Sequence, residues 1–225
     1  MQLTVRDVAR ILSTSEKSVY RWIETSGLPA YRVNRQYRFS RAEVLEWATA
    51  RRVQFTPEIL ADDETPEGPL PGLVAALLAG GIHYRVGGSD RESVLRAIVE
   101  TMALPDEVDR EFLLQVLVAR ESLGSTAVGD GIAIPHARNP VVMHVARPTI
   151  SLCFLESPIE FGALDRQPVH TLFSLVSPTV RAHLHLLSRL AYSLRDPGFK
   201  SVILAQGSRA QILDEARRVE AGLPS

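Results

Sequence analysis

Apolar residues recur at helical spacing from the first positions: Val5, Val8, Ala9 and Leu12 share one face behind Thr4, which with Asp7 forms a T-x-x-D capping box. Residues 13–14 make a turn, and Ser15 caps a second helix running to about Ser26. In it Val19, Trp22 and Ile23 point inward while Lys17, Ser18, Arg21 and Glu24 point out; Gly27 and Pro29 then stop it. Residues 30–39 alternate around Asn34-Arg35, a hairpin-like wing carrying Arg32, Arg35 and Arg38. Ser40 and Glu43 have capping-box spacing and open a third helix that buries Val44, Leu45 and Trp47.

The periodicity then fails. Residues 55–72 carry four prolines (Pro57, Pro66, Pro69, Pro71) and the acidic cluster Asp62-Asp63-Glu64, which excludes a long helix or a central strand. The pattern predicts a solvated, semi-extended linker, so the chain divides into residues 1–54, the linker 55–72, and a body over 73–225. A long surface loop inside one domain is the alternative.

In the body, helices are predicted over 73–78, over 89–102 with Val94, Leu95, Ile98 and Val99 inward, and over 108–119, ending at Arg120-Glu121. Gly129-Asp130-Gly131 turns the chain into Ile132-Ala133-Ile134, which stops at Pro135-His136. Strands follow over 149–155 and 169–177, and Pro178 precedes a helix over 180–194. The mixture predicts an α/β sandwich with a mixed sheet behind a small winged helix-turn-helix.

Composition adds two constraints. A single cysteine, Cys153, excludes an internal disulfide framework and suits a reducing cytoplasm; no apolar run fits a signal peptide or a membrane span, so no membrane contact is expected. The net charge of −1 conceals a division: residues 1–55 hold ten Lys/Arg against five Asp/Glu, a net of +5, which leaves −6 for the remainder. A basic head on an acidic body implies different partners for the two parts.

For the head, cations on both the second helix and the wing point to DNA, because phosphate contacts need them on one surface. A basic face used for protein contacts is the alternative. Val8-Ala9-Arg10-Ile11-Leu12, Ser15-Glu16-Lys17-Ser18-Val19-Tyr20-Arg21-Trp22-Ile23 and Tyr37-Arg38-Phe39 resemble the excisionase and MerR-like winged helix-turn-helix family. Asn34 stands where a glycine is commoner, but Asn tolerates positive φ. The resemblance implies Lys17, Ser18 and Arg21 in the major groove and Arg32 or Arg35 against phosphates. One such module is a small interface, so a homodimer is expected.

The body has no glycine-rich phosphate loop followed by lysine, no nucleotide-binding fingerprint and no serine or cysteine nucleophile motif. His183 and His185 lie on opposite sides of a helix and cannot share a metal. His136 follows a buried strand and is held by Pro135, a placement that would be accessible yet rigid and would suit a nucleophile. On the residues alone, a structural or surface histidine is the commoner reading.

The runs Arg120-Glu121-Ser122-Leu123-Gly124-Ser125-Thr126 and Gly131-Ile132-Ala133-Ile134-Pro135-His136-Ala137-Arg138 resemble the fructose/mannitol-type IIA components of the sugar phosphotransferase system, nearest the nitrogen-regulatory branch. Phe161, Ala163-Leu164-Asp165, Pro168-Val169 and His183-Leu184 continue the match. The resemblance implies that His136 accepts phosphate from a histidine phosphocarrier protein, with Arg120 and His183 in support and no metal or cofactor. Helical spacing agrees: His183 shares a face with Leu187, Leu190 and Leu194, whereas His185 is expected to face solvent. A helix C-cap role for Arg120 and a solvated loop charge for Arg138 remain alternatives.

Together these features predict a phosphorylation-responsive DNA-binding regulator. The rivals are a sugar-transport IIA component and a regulator whose IIA-like domain is an unphosphorylated dimerisation platform.

Overall fold

The computed structural model describes residues 2–33, 36–51, 53–56, 70–106, 108–137, 145 and 147–223, without the side chains of Gln2, Arg32, Val33 and Ala42. They fall into two compact units, 2–56 and 70–223. Residues 57–69, most of the expected linker, lie outside the described residues, as do Asn34, Arg35 and Arg138.

In the first unit β1 (Gln2–Leu3) leads into α1 (Val5–Ile11), whose capping box is formed: Thr4 Oγ1 accepts from the Asp7 amide at 3.3 Å, and the Thr4 amide donates to the Asp7 carboxylate at 2.9 Å. The Thr4 hydroxyl, which also donates to that carboxylate at 2.7 Å, and the Thr4 amide hold the Asp7 carboxyl below the usual carboxylate range. Then come α2 (Glu16–Thr25), β2 (Tyr31–Val33), β3 (Gln36–Ser40) and α3 (Arg41–Ala50). The wing is antiparallel with Val33 opposite Gln36, and β1 pairs with the other edge of β3. Val8, Val19, Phe39, Val44 and Leu45 form a dry core; beside it the rings of Trp47 and Trp22 meet at 5.2 Å, tilted by 47°, and Trp47 donates to the Ser26 carbonyl at 2.9 Å. The packed unit reaches past residue 54: Phe55 is buried and the Thr56 amide donates to the Ile11 carbonyl at 2.7 Å.

One expected cap is absent. Ser40 is the N-cap of α3 but makes no side-chain cap bond, and Glu43 instead accepts from the Tyr31 hydroxyl at 2.8 Å. The wing therefore takes the carboxylate that the spacing had suggested for the capping box.

The second unit begins with α4 (Leu73–Gly80) and β4 (Ile82–Val86), followed by α5 (Arg91–Thr101) and α6 (Arg110–Ser122). After them come β5 (Ala127–Gly129), β6 (Ile132–Ala133), β7 (Thr149–Ile159) and β8 (Val169–Val176). The chain closes with α7 (Val180–Ser193), α8 (Pro197–Leu204) and α9 (Arg209–Ala221). Among the described residues the strands form one sheet in the order β4-β7-β8-β6-β5. β4 runs parallel to β7 and β6 parallel to β8, while β7/β8 and β5/β6 are antiparallel, so the sheet is mixed as the sequence predicted.

The long central pair buries both faces, which is why β7 and β8 read as nearly continuous apolar runs. Buried among them, the Cys153 thiol is pushed up to about 12 by loss of hydration and is not a reactive group. The turn from β5 to β6 has three consecutive positive φ values, at Gly129, Asp130 and Gly131. A Cβ at Gly131 would lie 2.4 Å from the His170 ring, so this turn admits only glycine there.

Candidate functional site

His136 sits where the sheet's register would place a continuation of β6. Ile132 and Ala133 pair with Thr171 and Leu172 of β8, and two residues after Ile134 the backbone of His136 bridges to Leu175. The Pro135 carbonyl accepts from the Leu175 amide at 3.0 Å. Two residues past Leu175 the chain turns through Ser177-Pro178-Thr179 into α7, where Thr179 caps the helix by accepting from the Ala182 amide at 3.1 Å. This short connection brings the first turns of α7 over the end of β6. The rings of His136 and His183 meet with centroids 5.2 Å apart and planes inclined at 44°.

The sequence reading needs one correction here. His136 was expected to be accessible at a strand edge, yet it is only 3 % exposed and His183 only 2 %. The cause is the bridge to β8: His136 is inside the sheet's hydrogen-bonded register, not on its rim, and α7 covers it.

His136 Nδ1 lies 2.6 Å from the Ile134 carbonyl. A carbonyl can only accept, so in the neutral ring Nδ1 carries the proton and Nε2 carries the lone pair. The backbone bond fixes both the tautomer and the ring plane.

Arg120 is in the last turn of α6, mostly buried, and donates from Nη1 to the Gly124 carbonyl at 2.8 Å. That bond reaches a carbonyl beyond the helix end, so it ties the side chain to the loop that follows α6. The same loop leads to the site: Thr126 accepts from the Ile134 amide at 3.0 Å and Ala127 pairs with Ala133, so the antiparallel register carries Gly124 and Ser125 alongside Pro135 and His136. Arg120 is thus anchored to the loop that leads from α6 into β5, the strand that pairs with β6.

A residue with no assigned role in the sequence reading holds this loop. Glu121 is 3 % exposed, and its carboxylate accepts from the Thr126 amide at 3.1 Å and the Thr126 hydroxyl at 2.7 Å. Glu121→Ala would leave both buried donors without their acceptor, at a cost of about 1–3 kcal/mol, readable as a lower denaturant midpoint with an unchanged m-value. Ser125 Oγ donates to the Phe161 carbonyl at 2.6 Å, tying the loop to the one that follows β7. Leu123 and Leu164, on these two loops, are 69 % and 64 % exposed.

The second correction concerns His185, which is 7 % exposed and not on a solvent face. Helical geometry put it opposite His183 correctly, but that side is also covered, because α4 and α9 pack on α7 as β8 does. His170 lies at the other end of β8, beside Gly131, and burial lowers its pKa. Among the described residues no group of three or more His, Cys, Asp and Glu could hold a metal ion.

In the first unit Lys17 and Arg21 are exposed one turn apart on α2. Ser18 is half-buried, its hydroxyl 3.0 Å from that of Ser15. Arg32 is on β2, but its side chain and all of Arg35 are outside the described residues. Tyr20, between Lys17 and Arg21, is 46 % exposed and packs edge-on against Tyr37 of β3 at 6.0 Å, linking the helix to the wing. Its signal in the sequence was an aromatic on the otherwise polar face of α2.

No helix among the described residues is long and apolar enough to cross a membrane. Residues 3–52 match the helix-turn-helix domain family, and residues 78–216, more than half the chain, match the type 2 EIIA family of the phosphoenolpyruvate-dependent sugar phosphotransferase system. A nitrogen regulatory protein of Pseudomonas aeruginosa is 41 % identical over 122 residues, covering 52 % of this chain and 77 % of that protein. One from Escherichia coli is 36 % identical over 114 residues, covering 50 % and 69 % respectively. The crystal structure of the nitrogen regulatory protein IIA-Ntr from Neisseria meningitidis superposes with a TM-score of 0.53 at 25 % identity, over 60 % of this chain and 92 % of that one. The chain belongs to the type 2 EIIA family of the sugar phosphotransferase system, carried here behind an N-terminal helix-turn-helix domain.

Proposed function

We propose that this protein is a regulatory phosphocarrier that accepts a phosphoryl group on Nε2 of His136 from a histidine phosphocarrier protein, and that its phosphorylation state governs DNA binding and transcription. The observation that carries the reading is the His136 ring itself, held with Nδ1 on the Ile134 carbonyl and in contact with the ring of His183. In the transfer, the Nε2 lone pair attacks phosphorus in line as the donor's nitrogen–phosphorus bond breaks, and His136 Nδ1 keeps its proton. The transition state is loose, so positioning and cationic donors supply most of the acceleration. His183 donates a hydrogen bond to the phosphoryl oxygens and Arg120 neutralises their charge. The exposed Leu123 and Leu164 give the donor an apolar rim to dock on.

Lys17 and Arg21, with Arg32 and Arg35 of the wing, read duplex DNA as a homodimer, since one such module is a small interface. The head, packed through Thr56, and the body, from Leu73 onward, act in the cytoplasm through the proline-rich linker between them. The attached DNA reader favours regulation over sugar transport. The test is to incubate the full chain with phosphoenolpyruvate, enzyme I and the phosphocarrier protein and to measure its mass. One added phosphoryl group, labile in acid and stable in base, is expected. An unchanged mass would overturn the proposal.

A further inference from the structure

Glu220, near the C-terminal end of α9, holds the start of the whole second unit. Its carboxylate accepts from the Leu73 amide and, at 3.3 Å, from the Val74 amide, the first two N–H groups of α4. A helix N-terminus leaves such groups unsatisfied and carries partial positive charge, so a carboxylate there is doubly favoured. The same carboxylate pairs with Arg189 of α7 at 3.6 Å, with the two side chains only 12 % and 23 % exposed. Close approach is built into the backbone: a Cβ at Gly72 would lie 2.2 Å from Glu220 Oε1.

Arg189 is six residues along α7 from His183, about 9 Å of rise on a helix buried on several sides. The helix that covers the acceptor histidine is therefore the one that grips the clamp at the entrance to the unit. His136 and His183 are in ring contact and almost closed to solvent. A phosphoryl group of charge about −2 can enter between them only if an element gives way, and close-packed helices shift as bodies between discrete arrangements.

We propose that α7 and the Arg189–Glu220 clamp on the N-terminus of α4 form a relay. Phosphorylation of His136 moves α7, and Arg189 carries that movement to Glu220 and so to the point where the chain arrives from the DNA-reading unit. The proposal rests on the phosphorylation reading for its trigger, but the coupling exists in the unmodified protein. Coupling is reciprocal, so breaking the clamp must also be felt at His183.

The test uses the full chain with ¹⁵N-labelled histidine rings, together with amide exchange at Leu73 and Val74. Glu220→Gln is compared with Glu215→Gln, which removes a similar charge from α9 at the Arg218 pair without touching α4. Glu220→Gln is expected to speed exchange at Leu73 and Val74 by about tenfold or more, as the loss of charge-assisted bonds implies, and to shift the His183 ring resonances. Glu215→Gln is expected to do neither. Phosphorylated wild-type protein is expected to change exchange at the same two amides.

His183 resonances identical in Glu220→Gln and wild type would overturn the relay, as would unchanged exchange at Leu73 and Val74 in protein whose mass shows the phosphate. If the chain takes up no phosphate, the phosphorylation reading falls and the His183 shifts alone decide the relay. Should Glu220→Gln not fold, Arg189→Lys, which keeps the charge on a shorter side chain, provides the same readout at His183.

Discussion

His136→Ala is expected to take up no phosphoryl group from the phosphorylated carrier under conditions that fully modify the wild-type chain. No second histidine replaces it. His183 has its ring on α7, outside the sheet register that holds His136, and His170 lies at the far end of β8. His183→Ala is expected to retain acceptance but at a rate lower by about 10²–10³, the usual cost of removing one hydrogen-bond donor aimed at developing charge. His185→Ala separates transfer from folding. Its side chain is buried on the α4/α9 side of α7, so truncation should lower the thermal midpoint through lost packing and leave the transfer rate near wild type. Rapid-quench transfer assays with mass detection read all three. Phosphate on a histidine of His136→Ala, or a slow His185→Ala beside a normal His183→Ala, would refute the assignment.

The histidines also illustrate what the sequence can and cannot reveal. A period of 3.6 residues fixes the angle between His183 and His185, and that part of the reading holds. It says nothing about what stands on the second side of the helix, and two further helices do. Both were readable. α9 opens with Ser208 and Gln211 as a formed capping box and buries Ile212, Ala216 and Val219 at helical spacing, and α8 opens with Asp196 as N-cap and Pro197 at its first position. β4 was harder to see, because His83, Tyr84 and Arg85 interrupt its apolar ends and Tyr84 covers Phe154 from the outside. The Ser40–Glu43 spacing promised a cap and supplied a partner for Tyr31, a competition between a local and a distant donor for one carboxylate that spacing does not resolve. By contrast, the pattern before His136 predicted the strand end and the turn that precedes it, while the pairing with β8 and the Ile134 carbonyl that fixes the ring came only with the structure. Burial of that ring came from α7, whose His183 is forty-seven positions beyond His136 and later than any local pattern could reach.

Binding of the full chain to duplex DNA is expected to fall steeply with salt. Each phosphate neutralised contributes about −0.9 to the slope of log affinity against log salt, so a dimer contacting roughly six to ten phosphates loses about 10³–10⁵ between about 50 and 200 mM. The source of that slope is the head, with ten Lys/Arg against five Asp/Glu in residues 1–55, and not the net charge of −1 of the whole chain, which would predict weak repulsion. The individual residues should divide by role. Arg21 is exposed on α2 one turn from Lys17, on the helix that would enter the major groove, so Arg21→Ala should change sequence preference as well as affinity. Arg32 is on the wing strand, so Arg32→Ala should weaken binding to all sequences alike and reduce the magnitude of the salt slope by about one unit per chain. Fluorescence anisotropy across a salt series, on a selected site and on unrelated duplexes, distinguishes the two patterns. A flat salt response would assign the basic face of α2 to a protein partner, while equal, sequence-independent losses for both variants would remove α2 from the groove and leave both arginines as phosphate contacts.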